Sequence, residues 1–84
     1  MGDHLDRKHD IRRLEEDPDT LKLLIGQCAI REEDARILYM VHVEQHDQYY
    51  IADMLGMSVQ NMRKRYTAAL KKLHTLAQIR HMLR

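Results

Sequence analysis

Apolar residues recur at helical spacing along most of this chain. Leu21, Leu24, Ile25 and Cys28 fall at i, i+3, i+4 and i+7. Asp17-Pro18 stands just before them, an acceptor side chain for a helix start and a residue suited to the first helical position. Together they predict a helix over 18–29, with Gly26 as its soft point. Arg31-Glu32-Glu33-Asp34 opens the next element, because three acids in a first turn suit the helix dipole. Ala35, Leu38, Val41 and His42 share one face there, flanked by Ile37 and Tyr39, and the helix is expected to end near Gln45 or His46.

Asp47 is a second capping residue. Ile51, Ala52 and Leu55 form a compact apolar face on a short helix, and Gly56 sits where a left-handed residue usually ends one. Ser58 is a third cap. From Val59 no breaker follows, and Met62, Tyr66, Ala69, Leu70, Leu73 and Ala77 mark a buried stripe. A helix from there to residue 84 would span about 39 Å. Residues 1–17 carry only a thin apolar row, Leu5, Ile11 and Leu14, and read as a polar arm or a short helix. The expected fold is all-α, a bundle of four to five helices, with an arm at 1–17 and one domain at 18–84.

Composition narrows the picture further. Eighty-four residues make one small domain with one modest core. With four Tyr and no Phe or Trp, that core must be largely aliphatic. Three Gly and one Pro leave too few turn signals for an all-β fold. The single cysteine, Cys28, excludes an internal disulfide and a Cys-based zinc cluster. It reads as a small packed residue in a reducing, cytoplasmic setting. No stretch reaches the roughly 20 apolar residues of a membrane span, and the opening MGDHLDRKHD has no apolar run of a secretory signal.

Net charge is +1, but it is unevenly distributed. Residues 1–58 hold all 13 acids against 7 basic residues, whereas 59–84 hold 7 basic residues and no acid. A cationic helix beside an acidic remainder implies one surface that meets an anion. The competing reading, cations placed toward a helix C-terminus by the dipole, does not require 26 residues free of acid.

The segment 47–73 brings these signals together. A capped short helix, Leu55-Gly56-Met57-Ser58 and a second helix have the layout of a helix-turn-helix. Ala52 is small where the helices cross, Gly56 supplies the positive φ of the turn, and Ile51, Leu55, Met62 and Tyr66 set the crossing. A helix so placed presents its N-terminal side chains to a major groove.

At YYIADMLGMSVQNMRKRYTAALKKL, residues 49–73, the chain resembles region four of bacterial sigma factors. Ile51-Ala52, Leu55-Gly56, Ser58, Arg65, Ala69-Leu70 and Lys71-Lys72-Leu73 match the pattern E-I-A-x-x-L-G-I-S-x-x-T-V-K-x-R-x-x-x-A-L-K-K-L directly. Met57, Met62 and Arg63 are conservative variants. Upstream, residues 30–38 look like the family's entry to the preceding helix, so the resemblance covers about 18–73. Asn61 stands where Thr is common, Arg31 where Ser, Thr or Pro is usual, and Tyr50 where Glu is frequent. A full sigma factor also carries a domain for the −10 element, for which 84 residues leave no space. The expectation is therefore a stand-alone region-four-like regulator or a fragment of something longer.

The resemblance implies double-stranded DNA as a partner, read in the major groove by the helix that starts at Ser58. Val59, Gln60, Asn61 and Lys64 would face the groove; Gln60 and Asn61 can pair with adenine and Lys64 can reach guanine. Arg63, Thr67 and Lys71 would hold phosphates, with Ser58 and Tyr49 touching the backbone at the helix starts. Arg65 has two candidate partners, DNA and the acidic helix at 32–44. The resemblance also implies RNA polymerase as a partner, through the apolar cleft between helices 18–29 and 32–45. Two rivals stand beside this reading: a protein-interaction module of the same shape with little DNA affinity, and a phage or mobile-element dimeric activator. For the latter, Leu76, Ile79 and Leu83 would pair two copies through the extension at 74–84; the alternative is packing of that extension on the arm.

The remaining constellations point to no chemistry. His42 and His46 share a helix face but no further ligand is set opposite them, so no metal is expected. There is no P-loop and no nucleophile elbow, and neither an enzyme nor a cofactor is expected. Six Met read mainly as gap fillers, with Met40 and Met82 candidates for a partner surface.

Overall fold

A computed structural model describes residues 15–80. Leu5, Ile11, Leu14, His81, Met82 and Leu83 lie outside the described residues. The described chain forms four helices: α1 (Pro18–Gln27), α2 (Glu32–His42), α3 (Gln48–Met54) and α4 (Val59–Ile79). No strand occurs among the described residues.

Three helix starts are closed by side chains. Asp17 accepts from the Thr20 amide (3.4 Å) and its other oxygen from the Thr20 hydroxyl (2.5 Å). Asp47 accepts from the Tyr50 amide (2.9 Å) and Ser58 from the Asn61 amide (3.1 Å). Each bond satisfies one of the amides that a helix leaves without a partner. Before α2, Arg31 makes no such bond; the three first-turn acids complement the helix dipole instead.

The helix ends are less regular than periodicity alone predicts. α1 stops at Gln27 rather than at residue 29, where Cys28 turns to extended backbone. α2 stops at His42, short of Gln45, because Gln45 takes a left-handed φ of 59° and His46 donates its amide back to the Met40 carbonyl (2.9 Å). α4 is helical to Ile79 and its geometry relaxes at Arg80.

The turn between α3 and α4 closes in a double hydrogen bond. Gly56 donates to the Asp53 carbonyl (3.2 Å) and Met57 to that of Ala52 (3.0 Å). This is a Schellman motif, and it needs a left-handed residue at its pivot. Gly56 supplies it at φ 66°.

Two packed clusters form the core, and α4 runs through both. Leu21, Leu24 and Ile25 of α1, with Leu38 of α2, meet Ala69, Leu70, Leu73 and Ala77 of α4. Ile37 and Met40 of α2 meet Ile51 and Ala52 of α3 and Met62 of α4. Tyr66 packs against both. α2 therefore faces both ways, through Leu38 and Ile37, and holds the helix pair α3–α4 to α1. At about 2–5 kcal/mol for each large core side chain truncated, these contacts fix the α3–α4 crossing far more firmly than the turn does.

Candidate nucleic-acid interface

The first turns of α4 divide into two sides. Met62 is 3% exposed and Val59 leans against the second cluster. Gln60, Asn61, Arg63, Lys64, Thr67, Ala68 and Lys71 are exposed. Ser58 is exposed at the cap, and Tyr49 is 65% exposed on the neighbouring α3. Thus Gln60, Asn61 and Lys64 share the open side of the helix, whereas Val59 contributes packing to the core.

Two arginines two residues apart have opposite fates. Arg65 turns to α2, where its Nε donates to Asp34 (2.9 Å) and its Nη1 to Glu33. Its side chain is 25% exposed and its charge is met by two carboxylates of the acidic helix, one of the two partners expected for it. Arg63 donates through Nε to the Gln48 side-chain oxygen of α3 (2.6 Å). No carboxylate of the described residues pairs with it, so its charge is uncompensated. From Val59 to Arg80, α4 and the residue that ends it carry six Lys and Arg residues and no acid. Removing Arg65 from that set leaves Arg63, Lys64, Lys71, Lys72 and Arg80 exposed, with no carboxylate partner among the described residues.

The polar centre of the fold lies behind this face. His42 is 2% exposed. Its Nδ1 lies 2.7 Å from Glu15 Oε2 and its Nε2 lies 2.9 Å from the Tyr66 hydroxyl. Glu15, from the end of the expected arm, is thereby tied to the last turn of α2. His46 approaches Glu44 (3.3 Å) and packs its ring on Tyr50, so the two histidines point to different surroundings. No group of three or more metal-binding side chains occurs among the described residues. Cys28 is half-buried at the end of α1; burial pushes its thiol above the usual range, an effect that Lys72 nearby partly offsets.

Two open grooves flank the core. One, of about 590 Å³, lies across α1, α2 and α3, with Ile25, Ala35, Tyr39, Met40, Tyr50 and Met54 on its walls. It occupies the cleft expected between the first two helices, and α3 extends it through Tyr50 and Met54. The other, of about 680 Å³, lies between the end of α1 and the C-terminal half of α4, where Leu76 leans on the first cluster and Ile79 is 68% exposed. Leu76 and Ile79 therefore differ in their surroundings, and Leu83 lies outside the described residues. No described helix is long and apolar enough to cross a membrane.

Sequence reasoning passed over Gln48, Tyr50 and Met54. Tyr50 carried a signal, as an aromatic where Glu is frequent; Gln48 carried none, because its partner is 15 residues away.

The described helices, the glycine turn and the cap at Ser58 agree with the family comparison. The model for sigma-70, region 4 matches residues 29–73, just over half of the chain. No curated protein and no solved structure matches it. The matched span begins just after α1 and ends at Leu73, inside α4, so it takes in all of α2, the helix-turn-helix and most of the buried stripe of its second helix, with Ala77 beyond it. The chain belongs to the sigma-70 region 4 family of DNA-binding helix-turn-helix domains.

Proposed function

We propose that this chain is a transcription regulator that lays the start of α4 in the major groove of duplex DNA. Gln60, Asn61 and Lys64 read base edges. Ser58, Tyr49, Arg63, Thr67 and Lys71 hold the phosphates on either side, and Val59 sets the depth of the helix from its packed position. The observation that carries the reading is the acid-free outer side of α4, whose cations stay open while Arg65 is drawn inward by Glu33 and Asp34. The apolar groove across α1, α2 and α3 supports a second partner, RNA polymerase, at a surface separate from the DNA face.

Binding to a mixed-sequence duplex across a salt series, wild type beside Lys64→Ala, tests this. Affinity should fall steeply with salt, and Lys64→Ala should weaken binding. If Lys64 reads a base, the variant also relaxes preference at one base pair of a selected site, by about 1–3 kcal/mol. Absence of binding at low salt rejects the DNA reading. The groove then favours the interaction-module alternative, with polymerase subunits as the test partner.

A further inference from the structure

Arg63 is held by a neutral partner. Its Nε donates to Gln48 Oε1 at 2.6 Å, bridging α4 and α3 across 15 residues of sequence. An Arg Nε only donates, so the Gln48 oxygen must face it and the Gln48 amide nitrogen must point away. That Nε2 has no partner among the described residues, and Arg63 has no carboxylate partner there. The pair therefore leaves Arg63 Nη1 and Nη2 and Gln48 Nε2 open, with one full positive charge and no carboxylate in ion-pair contact with it among the described residues. Asp47, next to Gln48, is engaged with the Tyr50 amide.

A neutral tether has a specific effect. It restricts the swing of the long Arg63 side chain without cancelling its charge, so less freedom remains to be lost when an anion arrives. A carboxylate at residue 48 would restrict the side chain equally and cancel the charge. The geometry points to Gln48 and Arg63 as a two-residue clamp for one phosphodiester oxyanion, with Arg63 the charged donor and Gln48 its positioning residue. The clamp rests on the DNA-binding reading above and adds a residue and a division of labour. Arg63, tied to α3, fixes the register on the backbone, which leaves base readout to Gln60, Asn61 and Lys64.

The test uses the full chain and a fluorescein-labelled mixed-sequence duplex, followed by anisotropy across a salt series. Arg63→Ala should weaken binding roughly five- to tenfold and flatten the salt dependence by about 0.9 in slope. Gln48→Ala should weaken binding several-fold in the wild-type background and much less in the Arg63→Ala background, because its action passes through Arg63. Gln48→Glu keeps the acceptor for Arg63 Nε, so thermal stability should hold or rise while DNA affinity falls as far as in Arg63→Ala. A merely structural tie would not produce that opposition. Equal effects of Gln48→Ala in both backgrounds, or wild-type binding by Gln48→Glu, overturn the clamp and leave the DNA reading intact. Failure of the wild-type chain to bind the duplex overturns both.

Discussion

His42 and Tyr66 face each other across the junction of the two core clusters, Nε2 to hydroxyl at 2.9 Å and ring centroids 5.7 Å apart. The contact joins the last turn of α2 to the middle of α4. Glu15 stands at Nδ1 and the Tyr66 hydroxyl at Nε2, so both ring nitrogens of His42 have a hydrogen-bond partner. A polar group this deeply buried stays favourable only while its partners remain.

Tyr66→Phe should therefore cost about 1–2 kcal/mol, since the ring packing survives and the hydrogen bond between its hydroxyl and His42 is lost. Urea denaturation should show a lower midpoint at unchanged slope. A loss too small to resolve would mean that the hydrogen bond contributes nothing net.

The pairing of Arg65 with Glu33 and Asp34 predicts a stability effect separate from DNA binding. Arg65→Met should destabilise the fold by about 1–2 kcal/mol, discounted for the partly exposed site, because it leaves two carboxylates side by side. The difference from wild type should shrink as salt is raised. Duplex affinity, measured where both proteins are folded, should stay close to wild type and well above that of Lys64→Ala. The reverse pattern, a stable protein with weak DNA binding, would place this guanidinium on the DNA.

At Gly56 the expected effect is purely conformational. A Cβ there would meet no atom within 4 Å, yet φ is 66°. Gly56→Ala should cost about 1 kcal/mol, and Gly56→Asn clearly less because Asn tolerates the left-handed region. Thermal melts of the pair decide it; equal losses would point to crowding instead of backbone strain.

Much of the fold was legible because its signals are local. Asp17, Asp47 and Ser58 each cap the helix they precede, and the stripe from Met62 to Ala77 meets the core at the expected spacing. The end of α2 was not legible, since nothing in Gln45 as a residue type announces a left-handed backbone. The polar partnerships were also hidden. His42 with Glu15, Arg63 with Gln48 and Arg65 with Asp34 join residues 15 to 31 positions apart. They depend on helix crossings that packing sets. For the interface, the exposed positions of α4 followed from periodicity, whereas Val59, expected to face the groove, packs against the second cluster.

Gln60, Asn61 and Lys64 belong to neither packed cluster. Met62, between them, holds the helix to α2 and α3. Three side chains can thus be exchanged for others while the scaffold under them keeps its shape. Under the proposed reading of DNA by these side chains, a new target site lies a few surface substitutions away, with little risk of losing a folded protein on the way.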